Sequence, residues 1–302
     1  MLKLLELVYE GGDVLDLALV YQRRYLKEAL GTKFLSVNMR GMGRPQRLKT
    51  LKQLQSDFSP ENILLRGATQ VDEVCRAIPG SDLVIDYLAR TEEIEPNSLI
   101  RWSPRILRVL VYSIRAENVV RDGGVGRITK HFGPFLPDMY EPPPRDTPVV
   151  VGMLDLGTGA REASVRLKNM AKKCGWQFDF VSTLKGSYII RAESAMEVAE
   201  MSDFLICPMD QPDLGGPHEA AILALSVGRV LCTYPTAAMH RLAMYRRSAF
   251  IPYEVYRPGT AAQCFETFRQ RRDEYQDRVD SVRKSERIDP HAVPEEVLRR
   301  IR

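Results

Sequence analysis

The sequence predicts an α/β protein of two domains, each built on a parallel sheet with helices packed against it. Three observations carry that expectation. Short apolar runs such as SDFLIC and GRVLCT, bounded by turn residues, have the composition of strands buried on both faces. Between them lies HEAAILALS, too long and too rich in Ala and Leu to be another strand, and therefore a helix. The chain has 302 residues, more than one hydrophobic core usually organises, so two domains are expected.

Taken in order, LKLLELVYE predicts a strand, Gly11 and Gly12 a turn, and the stretch from Asp13 to about Leu30 a helix capped by Asp13. KFLSVNMR, SDLVIDYLAR and RILRVLVYSI read as further strands, whereas GVGRITK reads as a glycine loop. HFGPFLPDMYEPPPRDT is rich in Pro and Gly and without periodicity, as a linker should be. After it come a strand at Val149 to Met153, a glycine-containing loop, a helix of roughly four turns, and a strand at Gln177 to Val181, which together make one βαβ unit. Downstream of GRVLCT the chain predicts a small strand, AFIPYEV, a helix through GTAAQCFETFRQRRDEYQDRV, and a last short helix, PEEVLRRIR. The expected domains are residues 1–138, a linker at 139–147, residues 148–275, and a C-terminal helical tail at 276–302.

Gly215, Gly216 and Pro217 stand between a buried strand and a helix. A helix N-terminus presents unpaired N–H groups and the positive end of the macrodipole, and glycines let an anion come close. A diphosphate suits that turn, with His218 beside it. Glu219 in the first helical turn can accept hydrogen bonds from the vicinal hydroxyls of a ribose. The plainer reading has Pro217 as a helix starter and Glu219 as an acid complementing the dipole.

This half of the chain resembles the donor-binding domain of GT-B glycosyltransferases, through Asp203, Phe204, Pro208, Gly215, Gly216, Glu219, Ala220, Gly228, Val230 and Leu231. The resemblance implies two Rossmann-like domains facing each other across a cleft. It also implies transfer of a sugar from a UDP- or GDP-sugar to a hydroxyl acceptor, with no tightly bound cofactor. By the same resemblance Glu219 holds the donor ribose, Gly215 and Gly216 the diphosphate, Thr158 and Arg161 further phosphate oxygens, and Lys185 the region of the base. Gly12 takes the matching place in the first domain. Gln211 stands where retaining members often carry a second glutamate, which leaves the stereochemical course open. An inverting reaction needs a base in the first domain; Asp13 and Asp86 are the candidates, with Glu117 and His131 also eligible. Asp13 has the alternative of an N-cap and Asp86 that of a solvated strand end.

No HxH, HExxH or DxD motif marks a metal site, and no Walker lysine motif marks an ATPase. Cys75, Cys174, Cys207, Cys232 and Cys264 are dispersed without a CxxC pair, as in a reducing compartment without structural zinc. No run approaches the roughly eighteen apolar residues of a membrane span, and MLKLLELVYE lacks the pattern of a secretory leader, so a cytoplasmic location is expected.

The formal net charge is only +4, too small to indicate nucleic acid by itself. The cations are nevertheless clustered. Lys33, Arg40, Arg44, Arg47, Lys49 and Lys52 follow one another with no acid between them. A second run holds Arg101, Arg105, Arg108, Arg115, Arg121, Arg127 and Lys130 against Glu117 and Asp122. Arg40, Arg44, Arg47, Lys49 and Lys52 are candidate contacts to the phosphates of an acceptor polymer, a solvated face being the alternative. With such a face the chain resembles bacteriophage enzymes that glycosylate hydroxymethylated bases in double-stranded DNA, which would place it in a host cytoplasm. The competing readings are a sugar-nucleotide epimerase of the same fold and a non-catalytic nucleotide-sugar-binding module.

Overall fold

The computed structural model describes residues 3–9, 13–67, 70–88, 94–112, 114–130, 136, 149–154, 169, 179–183, 189–207, 216–233, 250–252, 260–286 and 290–301. The chain divides into two compact units, one of residues 1–134 with 290–302 and the other of residues 135–289.

The first unit alternates strand and helix: β1 (Leu4–Val8), α1 (Asp13–Leu30), β2 (Phe34–Asn38), α2 (Arg44–Asp57), β3 (Asn62–Arg66), α3 (Val71–Ala77), β4 (Asp82–Asp86), α4 (Pro96–Trp102), β5 (Ile106–Val111), α5 (Ile114–Asp122) and β6 (Ile128–Lys130). The strands form one parallel sheet in the order β2-β1-β3-β4-β5-β6. Successive side chains of a strand face opposite ways, and the two faces have separate cores. Leu5, Leu7, Ile63, Leu65, Ile85 and Val109 pack with Leu51, Val74, Leu99 and Val120 of α2 to α5. Leu4, Leu64, Val84 and Leu110 pack on the other side with Leu26 of α1 and with Val293, Val297 and Leu298 near the C-terminus.

The second unit contains β7 (Val150–Met153), β8 (Asp179–Ser182), β9 (Ile189–Arg191), α6 (Ala195–Glu200), β10 (Phe204–Cys207), α7 (Gly216–Val227), β11 (Val230–Thr233), β12 (Phe250–Pro252) and α8 (Thr260–Glu286). Its strands are again all parallel, in the order β12-β11-β10-β7-β8-β9. Helix α7 is apolar all round, and Ala220 through Leu225 are buried on every side, which explains the length and composition of HEAAILALS. It stops at Gly228, whose φ of +71° is open to glycine and closes the turn, with Arg229 N–H donating to Ala224 O at 2.8 Å. Helix α8 breaks its helical geometry at Arg271 (φ −126°, ψ 27°) and packs on the sheet, with Phe268 against Phe204 at 4.3 Å between ring centroids. The last helix, α9 (Ala292–Arg300), belongs to the first unit. It docks on α1, where His291 packs against Tyr25 at 4.6 Å and the Tyr25 hydroxyl donates to Glu295 at 3.2 Å.

Both units are thus Rossmann-like, in keeping with the fold class read from the sequence. Several elements differ from expectation. NILLR is the central strand β3, and the basic stretch after β2 is largely the helix α2. The end of GVGRITK is the edge strand β6 instead of a loop, and Ile189–Arg191 adds a strand at the edge of the second sheet. Helix α8 runs on through the start of the expected tail, while the last short helix expected at PEEVLRRIR is present as α9. The expected linker, 139–147, lies outside the described residues. Among the described residues no helix is long and apolar enough to cross a membrane.

The tightest approach in the second unit is at Gly152 in β7, where a Cβ would meet Leu205 Cδ2 at 2.6 Å and collide with Ser202 Oγ. Gly152→Ala is therefore expected to cost about 1 to 3 kcal/mol through overpacking. Urea denaturation of the full chain checks this, and an unchanged midpoint would contradict it.

Candidate functional site

In an open parallel sheet, ligands bind beyond the carboxyl ends of the strands where the strand order reverses, because the loops on either side diverge there. In the second unit that point lies between β7 and β10, since β8 and β9 continue one way and β11 and β12 the other. The segments leaving β7 and β10 carry most of the residues singled out from the sequence. Gly216 opens α7 and Glu219, half-buried, sits in its first turn. Pro217 costs that turn little, because the first N–H groups of a helix have no partner within it. The positive end of α7 and one carboxylate are thus placed beside the reversal. Thr158, Arg161, Lys185 and Gly215 lie outside the described residues, as does the side chain of His218.

Other residues of the motif hold the fold. Asp203 accepts from Val150 N–H at 2.8 Å and from Arg272 at 2.6 Å, tying β10 to β7 and to α8. Arg229 is buried and donates to the carbonyls of Ser202 at 2.7 Å and Val227 at 3.1 Å.

The first sheet reverses between β1 and β3. Asp13 is the first residue of α1 at that reversal; its side chain, and Gly12 and His131, lie outside the described residues. Asp86 requires a correction. Far from being a solvated strand end, it is fully buried: its carboxylate pairs with Arg66 and accepts from the Tyr112 hydroxyl at 2.9 Å and from Leu88 N–H at 3.0 Å. Arg66, equally buried, also donates to Glu6 at 3.1 Å, and Glu6 accepts from Arg23 at 2.7 Å and Ser36 at 2.6 Å. Burial and the Asp86 charge hold the Tyr112 hydroxyl protonated well above the usual tyrosine range. A carboxylate bound on all sides in this way is a structural ion and not an accessible base. Glu117 is similarly paired, with Arg121 at 2.9 Å.

The acceptor-side cations are also corrected in large part. Arg47 makes a two-pronged pair with Glu73 at 2.8 and 3.1 Å and donates to Met42 O at 2.8 Å. Arg44 lies 3.8 Å from the same carboxylate, and Arg40 pairs with Asp16. The stretch has no acid within it, but the acids reach it from α1 and α3. Lys49 and Lys52 remain exposed and make no ion pair among the described residues. In the second run, Arg105 is spent on the carbonyls of Cys75, Ile78 and Ser81.

Tyr9, just past β1, was not legible as a site residue. Among the described residues its hydroxyl has no hydrogen-bond partner, and burial and the neighbouring Glu73 raise its pKa well above the ordinary value. The described cysteines, Cys75, Cys207, Cys232 and Cys264, are all buried thiols, and burial pushes Cys75 up to about 11. No group of three or more His, Cys, Asp or Glu among the described residues is arranged to hold a metal ion.

No family model matches the chain, and no curated protein matches it in sequence. Solved structures match it in fold. HepE of Anabaena in complex with UDP-glucose superposes with a TM-score of 0.69 at 12% identity, over 99% of both chains. MurG of Acinetobacter baumannii gives 0.63 at 12% identity, again over 99% of both. UDP-GlcNAc 2-epimerase of Methanocaldococcus jannaschii gives 0.55 at 11% identity, over 87% of this chain and 92% of that one. The shared fold is the pair of Rossmann-like domains of GT-B structures. At such identity the likeness establishes architecture alone.

The buried ionic layer makes a measurable claim. Asp86→Ala removes one of the two carboxylates on the buried Arg66 and the acceptor of the Tyr112 hydroxyl, and is expected to lose about 3 to 5 kcal/mol of stability, whereas replacing Lys49 or Lys52 by Ala changes it by under about 0.5 kcal/mol. Chemical denaturation of the three variants checks the contrast.

Proposed function

We propose that this chain is a glycosyltransferase that moves a sugar from a nucleotide-sugar donor to a hydroxyl acceptor. The observation that carries the reading is the start of α7 at the reversal of the second sheet, with Glu219 in its first turn. In this reading the N–H groups around Gly215 and Gly216 hold the diphosphate and Glu219 accepts from the ribose hydroxyls. Thr158 and Arg161, on the segment leaving the neighbouring strand β7, add donors to the phosphates, and Lys185 follows β8. Their chemical work is to stabilise the charge that grows on the departing nucleotide diphosphate as the anomeric bond breaks. The first unit serves the acceptor, with Asp13 as the carboxylate that takes the hydroxyl proton if the reaction inverts. UDP- or GDP-sugars are the donors this reading names; support comes from the similar HepE structure, which contains UDP-glucose.

The epimerase reading is favoured by one observation, the likeness to UDP-GlcNAc 2-epimerase. Turnover of a nucleotide sugar to its epimer without acceptor identifies that chemistry; release of nucleoside diphosphate that depends on an added hydroxyl compound identifies transfer. Binding with neither outcome identifies a non-catalytic module.

A hydroxymethylated base in the double-stranded DNA of a bacteriophage is the finer acceptor reading, and it rests on Lys49 and Lys52 now that Arg40, Arg44 and Arg47 are paired. Salt-dependent duplex binding that weakens in the K49A/K52A variant supports it; absence of duplex binding at low salt removes it.

Glu219→Gln is expected to weaken UDP binding about tenfold, the scale of a lost hydrogen bond to a charged acceptor, and to erase discrimination between UDP and 2′-deoxy-UDP. Calorimetric titration of the full chain reads both effects. UDP affinity that survives the substitution unchanged would sink the assignment.

A further inference from the structure

At the edge of the first sheet, β5 and β6 place two arginines side by side. Val109 pairs with Ile128, and the residues immediately before them are Arg108 and Arg127. Like charges on neighbouring strands repel, yet α9 brings two more cations, Arg299 and Arg300, to the same place. Among the described residues every ion pair of this cluster ends on one carboxylate. Glu296 lies 3.5 Å from Arg108 Nε and 2.9 Å from Arg300 Nε, pairs with Arg299, and accepts from the Thr129 hydroxyl at 3.1 Å. Glu296 is only 4% exposed, so its charge is not shared with solvent. Arg108 Nη1 reaches Ile128 O at 3.3 Å, but among the described residues its Nε, beyond the ion pair with Glu296, has no hydrogen-bond partner. Burial and the charges of Arg300, Arg299 and Arg127 pull the Arg108 pKa below its usual value. The C-terminal end of a helix attracts cations with the equivalent of about half a charge, which accounts for part of Arg299 and Arg300 and leaves the cluster strongly positive.

We propose that Arg108, Arg127, Arg299 and Arg300 form a binding site for a small phosphate-type anion bearing at least two negative charges. Guanidinium groups suit this ligand because their paired N–H donors match two oxygens of one phosphate. Glu296 and Thr129 hold Arg108 and α9 in register, and the exposed Arg127 and Arg299 reach outward. The site uses residues of the first unit only, and it stands or falls independently of the nucleotide-binding role given to Glu219 in the second.

The test is calorimetric titration of the full chain with inorganic pyrophosphate at fixed ionic strength. Submillimolar binding is expected. The R127A/R299A variant changes only exposed side chains, and its affinity should fall by at least about tenfold, since hydrogen bonds to charged groups contribute on that scale. Circular dichroism confirms that it is folded. No saturable binding to the wild type, or equal affinity in the variant, overturns the proposal. Because the comparison is between two proteins under one condition, pyrophosphate bound at any nucleotide site in the second unit leaves it decisive.

Discussion

A parallel strand in a sheet covered on both sides has no water to turn to, and most of this molecule follows from that restriction. Every side chain of β1, β3, β10 and β11 is buried, so apolar residues fill both faces and each polar intruder must find its partner inside. Glu6, Arg66 and Asp86 are such intruders, and they pair with one another across β1, β3 and β4. The layer sits toward the carboxyl ends of these strands, where it fixes Leu88 in a left-handed conformation (φ +49°) through its N–H bond to Asp86. Ionic burial of this kind shapes a loop more than it stabilises a fold.

The parts legible in the sequence were those whose cause is local. SDFLIC and GRVLCT announce themselves by unbroken apolar runs, LKLLELVYE by a run broken only at Lys3 and Glu6 before Val8, and α1 begins and ends within the expected span, Asp13–Leu30. NILLR was not legible, because Asn62 and Arg66 frame only three apolar residues and make the run look like a loop. Helix α2 escaped notice for the opposite reason: RPQRLKTLKQLQSD buries Leu51 and little else, so it has no clear apolar stripe.

The candidate site was readable to the extent that it depends on chain order. Strand, glycine turn, helix and first-turn acid are neighbours in sequence, and the sheet order then places them at a reversal. Pairings between distant residues were not readable. Asp86 looked like a free strand end because Arg66 and Tyr112 meet it only after three strands align. Arg47 looked like a DNA contact because Glu73, which neutralises it, belongs to another helix. Charge counted along a chain therefore overstates the charge available at its surface.

The first unit takes helix α9 from beyond the second unit, so its chain is interrupted by residues 135–289. Leu4, Leu64, Val84 and Leu110 precede the second unit in the chain, yet Val293, Val297 and Leu298, which pack on them, follow it. During translation that sheet surface has only the cover given by Leu26 of α1 until the residues beyond the second unit have been made. The two units cannot mature as separate beads on a string, and a fragment cut at their junction would carry half of its greasy underside bare.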